Sequence, residues 1–162
     1  LIDVAQKFKG KKPPVNIVLS LSNMEELGLR GARTSAFSVT PDEAIAVDVS
    51  FATAPDVSKD SAKYLGKGAM IGISPTLDRE ITNKLFKIAK KNNIPYQTEV
   101  MSQTTGTNAD VISLTKDGIR TGLVSIPIRN MHTPSEVVSL DDIKSTSEIL
   151  EKYILAGGLL NG

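Results

Sequence analysis

Cysteine is absent from the chain, which excludes disulfides and thiolate metal sites alike and fits a reducing compartment. Tryptophan is absent too, and aromatics make up only 4% of the residues, too few to supply stacking platforms for bases or sugars. Neither sign of charge dominates: 19 basic residues face 18 acidic ones, for a net charge of +1. That balance gives no argument for nucleic acid or an anionic membrane as a partner. No apolar run approaches bilayer-spanning length and no signal peptide is visible, so the expected location is cytoplasmic. What remains, 162 residues of balanced polarity, suffices for one domain with a real core, undivided by a repeat or a linker.

The chain opens on Leu1 rather than Met, and LIDVAQKFKGKK reads as the second half of an amphipathic helix. Ile2, Val4, Ala5 and Phe8 fit one apolar face at helical spacing. No N-cap precedes them, and Lys7, Lys9, Lys11 and Lys12 crowd the end, where cations suit the helix dipole. The expectation is that an N-terminal part precedes Leu1. Pro13-Pro14 ends this helix. Val15 to Leu21 is expected to be a central strand, followed by a helix over Gly28 to Phe37. Ala44 to Val49 is a second strand, Ala52 to Gly68 a loop and Ala69 to Ile73 a short strand. Ile81, Leu85, Ile88 and Ala89 line the apolar face of a long helix over Leu77 to Asn92. A strand over Tyr96 to Met101, a loop at Thr104 to Asn108 and a helix from Ala109 to Leu114 follow. Gly122 to Ile128 is another strand, and a final helix runs from Ser139 or Leu140 to Leu155, where Ser139 and Asp142 fit a weak capping box. The tail GGLLNG is expected to fray. Strands alternating with helices predict an α/β fold, a three-layer sandwich whose largely parallel mixed sheet is covered by helices on both faces.

Four places concentrate chemistry: Glu25-Glu26, Asp48, the loop Gly106-Thr107-Asn108, and His132. Three lie at or just beyond an expected strand's C-terminal end and Asp48 just inside one, so the topology can gather them in one crevice. Neighbouring residues on extended backbone point to opposite sides, so one carboxylate of the Glu25-Glu26 pair can grip a metal while the other faces substrate or water. Carboxylates with a histidine suit zinc or cobalt. A bound metal lowers the pKa of its water, and a free carboxylate takes the proton. Bland alternatives stand beside each. Glu25-Glu26 is also an ordinary solvated pair at a helix start. A lone His before Thr-Pro is commonly a structural hydrogen-bonder. Asp48, flanked by valines, needs a partner if buried. Gly106 to Asn108 also reads as a helix N-cap, Arg129 as a structural ion-pair partner, and Asp42-Glu43 as an exposed turn after Pro41. Lys84, Lys87, Lys90 and Lys91 read as a solvated helix face.

Taken together, KKPPVNIVLSLSNMEELGLRGA, AIAVDVSFA, NIPYQTEVMSQTTGTNADVI and GLVSIPIRNMHTPSEVVSLDDI resemble the second half of the tetrahedral metallo-aminopeptidases. These are the glutamyl and deblocking aminopeptidases that often carry the label endoglucanase. The likeness covers nearly the whole chain, in order, and marks residues 1–162 as the C-terminal segment of a catalytic domain. It implies a parallel-rich α/β sheet with two divalent metal ions, zinc or cobalt, peptide substrates, and a homo-oligomer when the protein is full length. Glu25 would be the general base and Glu26 a metal ligand, with His132 on the same ion. Asp48 would bind the other ion. Gly106, Thr107 and Asn108 would sit beside the substrate backbone, and Arg129 and Met131 would shape the rim.

The chain departs from the family at Met24, where the family has glutamine, at Asn130, where it commonly has tyrosine, and at Asn108, where it often has aspartate. The family also uses a further histidine and a bridging aspartate, which this resemblance places upstream of Leu1; Asp3 has no family motif around it. Two dications at bridging distance repel unless anions lie between them. The chain alone is therefore expected to have no or very weak activity, and the full-length protein to be an aminopeptidase in which metal-bound hydroxide attacks the first peptide carbonyl while Glu25 shuttles the proton. A catalytically incomplete homologue kept for assembly or binding is the alternative. A glycosidase fits less well: it needs two carboxyl groups facing each other across a sugar, about 5 to 9 Å apart, and adjacent Glu25 and Glu26 point apart.

Overall fold

The computed structural model describes residues 1–55, 57 and 63–159. In chain order the elements are α1 (Ile2–Phe8), α2 (Arg30–Val39), β1 (Glu43–Phe51), β2 (Ala69–Ile73), α3 (Arg79–Lys91), β3 (Tyr96–Val100), α4 (Ala109–Ser113), β4 (Arg120–Arg129), β5 (Val137–Val138) and α5 (Leu140–Leu155). The strands form one mixed sheet in the order β1-β4-β2-β3, with β5 hydrogen-bonded to β4. β1 and β4 run parallel from Glu43↔Arg120 to Phe51↔Ile128, and β2 and β3 run parallel from Ala69↔Tyr96 to Ile73↔Val100. The two pairs meet antiparallel through Met70↔Ser125 and Ile71↔Val124.

Period-2 alternation divides the strands between two faces. Ala69, Ile71 and Val124 meet Ile81, Leu85, Ile88 and Ala89 of α3 and Ile149 and Tyr153 of α5 in the larger core. The opposite face is smaller: Ala46 and Leu123 pack with Leu77, Ala109 and the half-buried Met101. Helices therefore cover both faces, and the α/β class read from the sequence holds.

Several local expectations change. Val15 to Leu21 forms no strand; Val18 is 61% and Leu21 76% exposed. An apolar run becomes a strand only when a neighbour takes its N–H and C=O groups, and among the described residues no strand of the sheet pairs with this segment. Helix α2 starts at Arg30 because Gly28 and Leu29 adopt left-handed backbone. In α1 only Val4 is buried, and Ile2 lies 70% exposed.

Glu43 is no exposed turn: it opens β1 and accepts from the Tyr153 hydroxyl at 3.0 Å and from the Leu159 N–H. That contact docks Gly157 to Leu159, the described part of the tail expected to fray, and residues 160–162 lie outside the described residues. Lys84 leaves its expected solvated face to donate to the carbonyl of Gly158. Ser139 does cap α5, accepting from the Asp141 N–H. Asp142 makes no capping box; its fully buried carboxylate accepts from the Gly66 and Gly68 N–H groups at 2.8 and 2.7 Å. The expected Ala52–Gly68 loop lies partly outside the described residues, and Ala52 makes a bridge to Lys63.

Candidate functional site

Asn23 to Gly31 form a tight turn. The N–H groups of Leu29, Arg30 and Gly31 donate to the carbonyls of Glu25, Met24 and Asn23 at 2.9, 3.2 and 3.1 Å. Met24, Gly28 and Leu29 have φ of +53°, +92° and +58°, and for the two side-chain-bearing residues this left-handed geometry is costly. A Cβ on Gly31 would come within 2.4 Å of the Asn23 carbonyl oxygen, so only glycine lets the first turn of α2 close on Asn23. The closure holds Glu25 and Glu26 over the face of β1 that carries Asp48.

A cavity of about 480 Å³ lies there, lined by Glu25, Glu26, Asp48, Ser50, Glu99, Thr105, Gly106, Thr107, Ser125, Met131, His132 and Glu136, with Val49, Phe51, Met101 and Leu123. It sits over the face of the sheet rather than beyond the strand tips, because β2 and β3 run opposite to β1 and β4 and the chain after β3 must cross that face. Most of the residues singled out from sequence meet here. Arg129 and Asn108 do not line the cavity. Arg129 donates through Nε to the Thr53 carbonyl at 2.8 Å and lines a neighbouring cavity with Thr53, Pro55 and Val137. Asn108 donates from Nδ2 to the Ser22 hydroxyl at 3.1 Å, tying its loop to the segment before Glu25. Its Oδ1 is buried without a hydrogen-bond partner among the described residues.

Glu25 is half-buried, and removal from water pushes its carboxyl above the ordinary value of 4.5, with the charges of Asp48 and Glu26 adding and His132 opposing. Burial likewise raises Asp48 above 3.8; the Val49 N–H, donating to Asp48 Oδ1 at 2.8 Å, opposes this and the Glu26 charge adds to it. Four acid and base groups thus sense one another in one cavity. His132 Nδ1 lies 3.4 Å from Glu26 Oε1, both side chains largely exposed. The ring is aimed by left-handed backbone at Asn130 and His132 itself, φ +57° and +65°, and the His132 N–H donates to Glu136 at 2.8 Å.

The loop opposite is pinned by a residue that sequence reading passed over. Asp110 accepts from the Thr105 N–H and hydroxyl, both at 2.9 Å, from the Thr76 hydroxyl at 3.2 Å and from the Gly106 N–H at 2.8 Å. Thr107, not Asn108, supplies the side-chain oxygen at the start of α4, accepting from the Ala109 N–H at 3.2 Å. Glu99 and Glu136 were passed over as well. The signal for Glu99 was available: Gln97 and Glu99 alternate with Tyr96 and Thr98 in a short strand, placing two polar side chains on one face.

In kind, the donors suit a borderline divalent cation, since carboxylate and imidazole are ligands of zinc and cobalt. In number they fall short. Among the described residues no three His, Asp or Glu side chains are grouped to hold a metal ion. Glu26 with His132 supplies one converging pair, and Asp48 stands apart from it on β1.

In sequence and in fold the chain is similar to known aminopeptidases. Over 154 residues the chain is 34% identical to the lysyl aminopeptidase of Pyrococcus furiosus, covering 95% of this chain and 44% of that protein. Among solved structures, a TET aminopeptidase from a marine-sediment Thaumarchaeota archaeon superposes with a TM-score of 0.86 at 28% identity, over 97% of this chain and 45% of that one. The TET1 peptidase of Pyrococcus horikoshii, described as assembling into a tetrahedron or a large octahedral shell, superposes with a TM-score of 0.65 at 29% identity, over 82% and 39%. The chain spans less than half the length of these relatives. Residues 1–149 match the M42 glutamyl aminopeptidase family, and the chain belongs to that family.

Proposed function

We propose that the whole protein is a metal-dependent aminopeptidase that removes N-terminal residues from peptides. The observation that carries this reading is the gathering of Glu25, Glu26, Asp48 and His132 around one cavity, with the Glu25 carboxyl raised above its ordinary value by burial and by the neighbouring carboxylates. Two divalent metal ions, zinc or cobalt, would supply Lewis acidity at the peptide carbonyl and acidify the attacking water. Glu26 and His132 would hold one and Asp48 the other, with further ligands from outside this chain. Glu25, half-buried and free of hydrogen bonds to backbone N–H groups among the described residues, takes the proton from water and returns it to the leaving amine. The Gly106-Thr107 rim, held rigid by Asp110, presents backbone to the peptide, while Asn108 joins that rim to the Glu25 turn. The protein acts as a homo-oligomer in the cytoplasm. The chain 1–162 by itself has no or very weak activity, in keeping with the incomplete ligand set among its described residues.

The lining also bears on substrate class. Five carboxylates and no Lys or Arg stand among the described residues of the cavity wall, and Arg129, the cation expected at the rim, is engaged with Thr53. An acidic N-terminal side chain meets like charge there, whereas lysine or a neutral side chain does not. A glycosidase reading gains no support, since Phe51 is the one Phe, Tyr or Trp among those lining residues. The test is Glu25→Gln in the metal-loaded whole protein, assayed on aminoacyl anilides. Turnover should fall at least about 100-fold, the ordinary worth of a general base, with metal content unchanged, and lysyl and leucyl anilides should outrun the glutamyl one. Normal turnover of the metal-loaded variant would end the assignment.

A further inference from the structure

Glu99 is a carboxylate 9% exposed in the floor of the cavity, and beyond its charge in the wall it has no role so far. Its two oxygens are engaged separately. Oε1 accepts from the Ser50 hydroxyl and Oε2 from the Ser125 hydroxyl, the latter at 2.8 Å. Among the described residues it forms no salt bridge, so two neutral hydroxyls are the only side-chain donors compensating a charge withdrawn from water, an arrangement that costs stability rather than adding it. The positions of the two serines show what the contact accomplishes. Ser125 is the β4 residue directly paired with Asp48, and Ser50 is the next residue of β1 on the Asp48 face. Glu99 belongs to β3, on the far side of β2, and the β2 residue opposite it is Gly72, which has no side chain to block the reach. A Cβ added at Gly72 would already stand 3.1 Å from Leu123 and Leu77. One side chain thus spans the sheet and grips both residues that flank Asp48.

We propose that Glu99 is a positioning residue for Asp48: by holding Ser50 of β1 and Ser125 of β4 it fixes the stretch of the two strands from which Asp48 stands into the cavity. The inference rests on the reading of Asp48 as a metal ligand. Groups that hydrogen-bond a ligand directly set metal affinity by roughly 10- to 100-fold, and Glu99, which acts one step further out through the strands, belongs at the lower end of that range. In Glu99→Gln one end of the group becomes a donor, so one serine loses its acceptor and turns, while size and shape are kept.

The experiment is a cobalt titration of the whole metal-free protein, followed by visible absorption, with thermal unfolding of each variant measured alongside. Glu99→Gln should weaken cobalt binding up to roughly tenfold and alter the cobalt absorption bands, with the metal-free unfolding midpoint equal to or above the parent's. Ser125→Ala, which removes one donor and nothing else, should shift cobalt binding in the same direction by less, and combining it with Glu99→Gln should add little. Asp48→Asn is the control. If it leaves cobalt binding intact, the metal reading itself fails. If it weakens binding while Glu99→Gln and Ser125→Ala bind cobalt like the parent, with the same spectrum, only the positioning role is overturned. Should Glu99→Gln not fold, Ser125→Ala decides alone: unchanged affinity and spectrum reject the proposal, and weakened binding with an altered spectrum sustains it.

Discussion

Asp48 works against the stability of the fold that holds it. Burial first, then the nearby Glu26 charge, raises its carboxyl above the ordinary 3.8, so the folded chain binds that proton more tightly than the unfolded chain does. Stability therefore falls as pH rises through the interval above 3.8, and at neutral pH the cost of the buried charge is fully present. Asp48→Asn in the metal-free chain should accordingly melt at a higher temperature than the parent at pH 7 and show no such gain near pH 3, where both states of the parent are protonated. Stability gained by losing a site residue is the usual signature of a functional carboxylate. Glu25, raised by the same causes in the same cavity, repeats the argument. The pair of glutamates, the lone histidine and the Asp flanked by valines were all visible as residues of interest. Asp110 was not, because a residue that acts by gripping its neighbours has no mark until the neighbours are known; the alternation in β3 marked the face of Glu99 but not its serine partners.

At the scale of the element, two aspartates anchor helix starts in different ways. Asp78 caps α3, its Oδ1 accepting from the Glu80 and Ile81 N–H groups at 2.9 and 3.0 Å, and it pairs with Arg120 at 2.8 Å. The Arg120 contact, aided by these N–H donors, holds its carboxyl below 3.8. A depressed folded-state pKa contributes stability above 3.8 that is lost as pH falls through the lower folded value. Asp78→Ala should cost about 1 kcal/mol for the cap, and its stability should decline less than the parent's on acidification, measured by urea unfolding between pH 6 and pH 2. Asp142 sits in the first turn of α5, yet its buried carboxylate reaches away to the Gly66 and Gly68 N–H groups and secures the approach to β2. Asp142→Ala should destabilise by roughly 1–3 kcal/mol, the cost of leaving the buried Gly68 N–H unpaired, and amide exchange should quicken at Gly66 and Gly68. Sequence read Asp142 as half of a capping box because local spacing cannot reveal a partner 76 residues away.

For the molecule as a whole, the mixed sheet explains both where the cavity lies and what it lacks. The antiparallel junction between β2 and β4 sends the loop after β3 across the sheet, so Gly106 and Thr107 face Asp48 rather than sharing an edge with it. The same sheet ends, among the described residues, at β1, and the apolar Val15 to Leu21 segment joins no strand of it. The isolated chain should hydrolyse aminoacyl anilides at or near background even in excess zinc or cobalt, and calorimetric titration should find only weak metal binding, since Glu26 with His132 offers a single pair of donors. Turnover by the isolated chain at a rate comparable to the whole protein would contradict this.

Sequence alone determined the alternation of strands and helices, the apolar face of α3, and the four places where chemistry concentrates, because these depend on periodicity and residue type within short windows. Likeness to the second half of an aminopeptidase was equally legible, carried by motifs in order along the chain. Tertiary structure decided the rest. It set the antiparallel junction that moved the cavity onto the sheet face, denied Val15 to Leu21 the neighbour a strand requires, and turned Arg129 toward Thr53. It also brought Glu99 across Gly72 to Ser50 and Ser125. Each of these depends on which backbone or side-chain partner a group meets at long range, and hydrogen-bond partners far apart in the chain leave no periodic trace in it.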